Sequence, residues 1–439
     1  MLQKKIWLVI CVGSLAAGCD FIAGGSEVNP DYCRRHPDVQ DCQNYCAMHA
    51  GDVNCSDAPV VITGCKAEPT KCVGATPVCD TAMDKCVECT ATSHDLCVGD
   101  KPVCGADESC RACTQHSECA SEVGLPDGAC ADSNDVAYVN SSGGGSVCTQ
   151  AMPCKTLTAG ITAAKPIVKV NGIITEPGGI VLSGKTLRVF ADAGASISRN
   201  SAGAVIELAT ATTLELNELA IVDGLGANGV GVLLSASGSN NQLTLNHATV
   251  RGCAGVGVKA DGGVVTLTGT IITGNKGGGL SVVNGSFKLT NNIIAANGDA
   301  DASSIGGVSL TSTANDNVFE QNTIVYNRSL VGNPGANCVA IATFHGRRNI
   351  ITSNKLGITF PAGQSVGCAD IESYTAAGAA ANDLQFAAVP PAVPNFHLTA
   401  ASPATVRDVA GVTACSGPDI DGDMRPQVGL CDFGADEYK

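Results

Sequence analysis

The sequence predicts an all-β protein, a right-handed parallel β-helix preceded by a small disulfide-rich region. Three observations point there. Short strands with alternating apolar residues recur along residues 167–321, their starts 20 to 31 residues apart. Each is followed by β-branched residues and then a Gly or Asn turn, which leaves no room for a helix in the repeat. Cysteine, by contrast, is concentrated upstream: 17 of the 24 cysteines lie between Cys33 and Cys154.

The first segment, 1–18, has the pattern of an export leader. Lys4 and Lys5 precede an apolar run from Ile6 to Ala17, shorter than the roughly 20 residues a membrane-spanning helix requires. Leu15-Ala16-Ala17-Gly18-Cys19 resembles the bacterial lipobox, with Ala16 where Leu is preferred. That resemblance implies acylation of Cys19 and cleavage before it, and several acyl chains on one residue give stable membrane anchoring. Trp7, the only tryptophan, would leave with the leader. Segment 19–32, with Gly24, Gly25 and Pro30, reads as a tether. The expected location is therefore the bacterial cell envelope, outside the cytoplasm, with the outer membrane or cell surface favoured.

Region 33–135 is expected to be stapled by disulfides, because so short a stretch has little apolar material for a core. Cys33, Cys42, Cys46 and Cys55 come first. From Cys72 the spacing repeats with a period of about 25 residues, Pro77-Val78-Cys79 being echoed by Pro102-Val103-Cys104. This resembles the cysteine-rich repeats of exported myxobacterial and related delta-proteobacterial proteins. Cys86, Cys89, Cys110 and Cys113 also have zinc-ribbon spacing. Other cysteines interleave with those four and the leader exports the chain, so disulfides are the stronger expectation. Spacing leaves their connectivity open.

The β-helix is assigned to 136–394. Residues 153–164 read as an amphipathic helix covering its open end, with Cys148 and Cys154 close enough to staple it. Strands are expected at 167–170, 187–190, 214–217, 243–246, 265–268, 287–290 and 318–321, and third strands at 230–233, 256–258 and 307–310. About eight coils fit before Asn354, and the hand follows from the preference of parallel crossovers. Asn217, Asn246, Asn292, Asn297, Asn322, Asn327, Asn349 and Asn354 sit at strand ends or turns. Asn tolerates left-handed backbone and its amide can stack on the next coil, so a structural role is expected. Cys338 and Cys368 are further disulfide candidates.

Segment 395–439 is the closing segment. It carries Phe396-His397-Leu398, Ala401-Ser402-Pro403-Ala404 and Asp408-Val409-Ala410-Gly411, then PDIDGDMRPQVGLCDFGADEYK. A DIDGD-x-RP motif followed by D-x-GADEY resembles the end of the choice-of-anchor Q family of exported bacterial β-helix proteins. The resemblance implies a right-handed β-helix held at the cell surface, and it implies no catalysis. Asp419, Asp421 and Asp423 alternate in a Gly-containing loop, a spacing that calcium accepts. The alternative is a turn network tied to Arg425 and closed by Cys415 and Cys431.

A net charge of -15 argues against nucleic acid as a partner. Lyases and glycosidases need converging carboxylates, yet the acidic residues of the coils fall at unlike offsets, Glu215, Glu218 and Asp223 forming the one local group. His345, Arg347 and Arg348 form a basic cluster that could meet an anionic sugar. The expectation is an envelope protein, held to a membrane by its lipid, that binds polysaccharide or another envelope component without catalysis. A polysaccharide lyase or hydrolase and a purely structural protein are the alternatives.

Overall fold

Two cysteine repeats come first along the chain. The computed structural model describes residues 65–438 apart from 67–68, 227, 236–239, 300–304, 342–343, 358–365, 369–370, 375–383, 390–394, 410–414, 416 and 427–429. The leader, Cys19, the tether and the four cysteines from Cys33 to Cys55 lie outside the described residues. The chain divides into two compact units, Met1–Ala112 and Cys113–Lys439.

In the first unit the connectivity left open by spacing is a crossed pairing used twice. Cys65 bonds Cys79 and Cys72 bonds Cys86; Cys89 then bonds Cys104 and Cys97 bonds Cys110. Each repeat centres on a short antiparallel pair, Val78–Asp80 with Lys85–Val87 and Val103–Cys104 with Cys110–Arg111. Cys86, Cys89 and Cys110, three of the four sulfurs in zinc spacing, are thus committed to disulfides.

A third, altered repeat opens the second unit. Cys119 bonds Cys130, but Gly124 stands as far before Cys130 as Cys104 stands before Cys110. A Cβ built on Gly124 would come 2.5 Å from the Cys113 sulfur, so glycine occupies the place of the missing third cysteine. The Cys113 thiol donates to Gln115 O at 3.1 Å. What the repeat lacks in cross-links it gains in apolar contact: Val123 and Ala131 pack with Val136, Tyr138, Ile167 and Phe190 of the β-helix.

The β-helix begins one strand earlier than the alternation showed. Val136–Asn140 pairs in parallel with Ile167–Asn171, and between them lies helix Leu157–Thr162. Thr156 caps it, its side chain accepting from Ala159 N at 3.2 Å. The buried Glu176 carboxylate receives Leu157 N at 2.6 Å and the Thr158 hydroxyl at 2.6 Å. An anion at a helix N-terminus satisfies amides that have no partner within the helix. Cys148 bonds Cys154 beside it.

From Ile167 to Thr352 the coils stack in parallel register. On first strands, Val189, Leu216, Leu245, Leu267, Leu289 and Phe319 lie one above another. On second strands the column is Ile197, Ile221, Val250, Ile272, Ile294, Ile324 and Ile351. On third strands Ile206, Val232, Val258, Leu280, Val308 and Ala336 align. These residues are buried, as alternation at period two requires when one side faces a core. Third strands start later than expected, at Val232 and Val258, because a column of close approach precedes them. A Cβ on Gly257 would meet Gly279 O at 2.8 Å, and one on Gly279 would meet Gly307 O at 2.9 Å.

The corners repeat as regularly as the strands. Between first and second strands stands one residue of left-handed backbone: Glu218, His247, Gly269, Asn291, Gln321 or Arg348; after second strands stands Asp223, Gly252, Gly274, Ala296, Tyr326 or Ser353. Most are not glycine, so something must over-determine the conformation. The following residue does so. Asn292, Asn322 and Asn349 form one ladder and Asn275, Asn297, Asn327 and Asn354 another, all buried. The Asn322 amide donates to Leu289 O at 2.9 Å and to Asn349 Oδ1 at 3.1 Å, and its own Oδ1 accepts from Asn292 N and Nδ2. Cys253 heads the second ladder, its backbone N donating to Asn275 Oδ1 at 3.0 Å. It is a buried thiol outside any disulfide, its acidity suppressed by burial to a pKa of about 11.

Among the described residues, two further disulfides join Cys338 with Cys368 and Cys415 with Cys431. The closing segment lies along the flank of the last coils. Phe396, Leu398, Val406, Ile420, Phe433 and Ala435 pack on the outer side of second strands at Ile293, Ala295, Val325 and Ile350. Gly434 N donates to Arg348 O at 2.8 Å and Ala435 N to the Thr323 hydroxyl at 3.0 Å.

Replacing Asn322 by Ala strips partners from several buried groups at once, each worth about 1–3 kcal/mol when left unsatisfied. The expected loss is about 3 kcal/mol or more in urea unfolding. Asn246→Ala, at the half-buried start of an outer pair, is expected to cost about 1 kcal/mol or less.

Candidate functional site

The left-handed corners turn side chains outward at a fixed place in each coil, and on the early coils these are Glu218 and His247. The altered cysteine repeat runs beside that column. Between them lies a cleft of about 670 Å³, lined by His116, Ser117, Leu125 and Pro126 on one side and by Phe190, Asp192, Asn217, Glu218, Asn246 and His247 on the other.

Backbone contacts set the chemistry of His116. Gly124 N donates to its Nδ1 at 2.9 Å, so in the neutral ring the proton sits on Nε2, which lies 3.8 Å from Glu218 Oε2. The ring meets the edge of Phe190, centroids 5.5 Å apart. Burial holds the imidazole below its usual pKa and Lys169 adds to this, against the opposing pull of Glu218 and Asp192. His116 is therefore neutral at pH 7, its buried Nε2 hydrogen facing Glu218.

The other polar groups are held in place by neighbours. Lys169, fully buried, reaches Asp192 Oδ1 at 2.6 Å, and Asn171 donates to Asp192 Oδ2 at 2.5 Å. Arg188 bonds Glu215 Oε2 at 3.0 Å and lies 5.2 Å from the Phe190 ring centroid. Asn246 donates to Asn217 Oδ1 at 3.0 Å, and Asn217 donates to Glu215 Oε1 at 3.2 Å. Asp192 is thus paired with a cation, Glu215 is spent on Arg188, and Asp223 sits at the other corner. The cleft offers donors and acceptors on a fixed frame, with Leu125 and Pro126 as apolar wall. That suits a hydroxyl-rich ligand better than proton transfer between two free carboxylates.

The basic cluster lies elsewhere. His345 and Arg347 are exposed on strand Phe344–Thr352, and Arg348 occupies the corner residue of that coil. None of the three lines the cleft.

Nor do the three aspartates of the presumed calcium loop converge. Asp419 is buried, its Oδ1 accepting from Asp421 N and Asp423 N, both at 2.9 Å, and its Oδ2 from Glu437 N at 3.4 Å. It shapes the turn. Arg425 is buried against Glu437 at 3.2 Å and donates to Gly434 O at 3.0 Å. Asp432 accepts from Asp408 N at 2.6 Å and from Tyr438 N at 2.7 Å. The acidic residues of both closing motifs thus serve largely as acceptors for buried backbone amides. Asp421 turns toward His397.

Sequence reasoning missed His116, Asp192 and His247. For His247 a signal existed: the corner residue always lies two positions after the second apolar residue of the first strand, as Glu218 follows Leu216 and His247 follows Leu245. For His116 there was none, because its segment reads as one more cysteine repeat.

No protein-family model matches the chain, and no curated protein matches it. Among solved structures, the crystal structure of pectate lyase Pel9A superposes over 69% of this chain and 96% of its own, with a TM-score of 0.33 and 14% sequence identity. A superposition that loose carries no argument about chemistry.

A histidine kept neutral by the fold makes the folded state bind fewer protons than the unfolded chain once pH falls below about 6.5. His116 therefore lowers stability on acidification. His116→Gln, which can still accept from Gly124 N, is expected to shrink the drop in urea midpoint between pH 7.5 and pH 5.5; an unchanged drop would show that the imidazole is not held neutral.

Proposed function

We propose that this chain is a lipid-anchored surface protein of the bacterial envelope whose β-helix binds a polysaccharide in the cleft beside His116 without chemical turnover. The cleft carries the reading: Glu218, His247, Asn217 and Asn246 present polar groups on a rigid stack opposite His116. Ligand sites of this kind combine a preformed concavity with a few placed polar groups. The disulfides support an oxidising compartment. The leader 1–18 with its lipobox before Cys19 supports the lipid anchor, and the closing segment's resemblance to choice-of-anchor Q proteins supports surface attachment. The basic residues His345, Arg347 and Arg348, on strand Phe344–Thr352, would be a second contact for an anionic chain.

A glycan array probed with the mature chain tests the binding. Binding is expected to fall at least tenfold in His247→Ala and Glu218→Ala with melting temperature unchanged. If it survives there and is lost in His345→Ala or Arg347→Ala, the site belongs on that strand. Unsaturated products or new reducing ends from pectate or alginate, with or without calcium, would establish an enzyme instead.

The anchor is tested separately. Cys19→Ser is expected to abolish palmitate labelling and to release the protein from membranes or leave it as a precursor; unchanged detergent partitioning would rule the lipid out.

A further inference from the structure

The closing segment gathers more buried negative charge than its one buried guanidinium balances. Asp419, Asp432, Asp436 and Glu437 are all buried around Arg425. Most of their oxygens are engaged by backbone amides, but Asp436 divides its carboxylate. Oδ2 takes Leu398 N at 2.6 Å, while Oδ1 faces His397 Nε2 at 4.0 Å with the side chain only 6% exposed. Asp421 approaches the same nitrogen from the solvent side, Oδ2 at 3.1 Å and Oδ1 at 3.2 Å.

The protonation of His397 is set from its other edge. His397 N donates to Asn395 Oδ1 at 3.1 Å, which identifies that atom as the amide oxygen, and His397 Nδ1 contacts the same oxygen. An oxygen can only accept, so Nδ1 carries the proton and the neutral ring turns the lone pair of Nε2 toward two carboxylates. Three acceptors facing one another repel unless a proton on Nε2 or a metal cation stands between them. A metal-bound histidine usually donates its second N–H to an oxygen in this way, which fixes the tautomer and the ring orientation.

We propose that His397, Asp421 and Asp436 bind a divalent transition-metal cation of the zinc type, through one imidazole nitrogen and two carboxylate oxygens. Their ligand atoms lie within 4.8 Å of one another, so closure of about 1 Å by the exposed Asp421 side chain and the half-buried imidazole brings each within the roughly 2 Å of a zinc bond. Imidazole with carboxylate suits zinc, whereas calcium takes six or more oxygens. The exposed side of Asp421 leaves a position for water. The ion would tie together three stretches of the closing segment distant in sequence, around His397, Asp421 and Asp436, and so lock the flank that covers Ile293, Val325 and Ile350.

The test uses the untagged mature chain, treated with chelator and then titrated with zinc, cobalt(II) or calcium. One zinc or cobalt ion per chain is expected, cobalt giving visible absorption bands of a low-coordinate site, with a rise in melting temperature. His397→Ala and Asp436→Asn are each expected to weaken binding at least tenfold. Asn395→Ala, which leaves all three ligands in place, should weaken it about 10-fold to 100-fold. Circular dichroism of each variant without metal separates lost ligands from lost fold, and Asn395→Ala keeps the question open to measurement if a ligand variant unfolds. No stoichiometric zinc or cobalt uptake would overturn the proposal, as would uptake unchanged in His397→Ala. Calcium binding that is insensitive to His397→Ala but lost in Asp423→Ala would overturn it in favour of an oxygen-only loop. Glycan binding at the cleft is independent of every one of these outcomes.

Discussion

In a stack of parallel coils each backbone must pass its hydrogen bonds to the coils above and below, and the corners are where that exchange is hardest to complete. A chain that turns sharply leaves an amide and a carbonyl pointing out of register, and burying either without a partner costs about 1–3 kcal/mol. The buried Asn ladders answer this at both corners: each side chain donates to a carbonyl of the preceding coil and accepts from that coil's ladder residue, as Asn322 and Asn327 do. With that geometry fixed, one left-handed residue per corner follows even where it is Tyr326, Gln321 or Arg348. The apolar columns could stack in more than one register; the ladders admit one.

The cleft is a consequence of the same constraint. A left-handed corner residue cannot point into the core, so its side chain is free to vary while the backbone beneath it is not. Glu218 and His247 occupy such positions, and a polar ligand would meet them at no cost in reorganisation. The partner wall comes from a cysteine repeat that has exchanged one disulfide for apolar contact with Tyr138, Ile167 and Phe190. Small cysteine repeats cannot bury enough surface to fold alone; this one rests on a core already built, and its divergence put His116 opposite the corner column.

The closing segment meets the demand of the Asn ladders with a different chemistry. Beyond Gly434 N and Ala435 N, which reach the coils, its irregular backbone passes many of its amides to carboxylates: Asp419 for Asp421 N and Asp423 N, Asp432 for Tyr438 N, Asp436 for Leu398 N. Charged acceptors make the stronger bonds, but they accumulate negative charge that Arg425 alone does not offset. An acidic motif in a loop therefore reads as calcium binding when most of its carboxylates are structural.

The sequence by itself determined the class of fold, the first strand of each coil from Ile167 to Glu320 and the structural character of the ladder asparagines, because alternation, period and turn chemistry are local properties that recur from coil to coil. It did not reveal the early strands Ile173–Glu176, Ile180–Ser183 and Ser196–Arg199, where coil lengths differ and the Asn turns are missing. Disulfide pairing, the lateral seat of the closing segment and the meeting of His397 with Asp421 and Asp436 were decided only by tertiary structure. So was the cleft: His116 and His247 are 131 positions apart, and they line one cavity because a diverged repeat found an apolar surface to pack on. Contacts of that kind depend on how the core shapes the chain around it, and no local pattern encodes that.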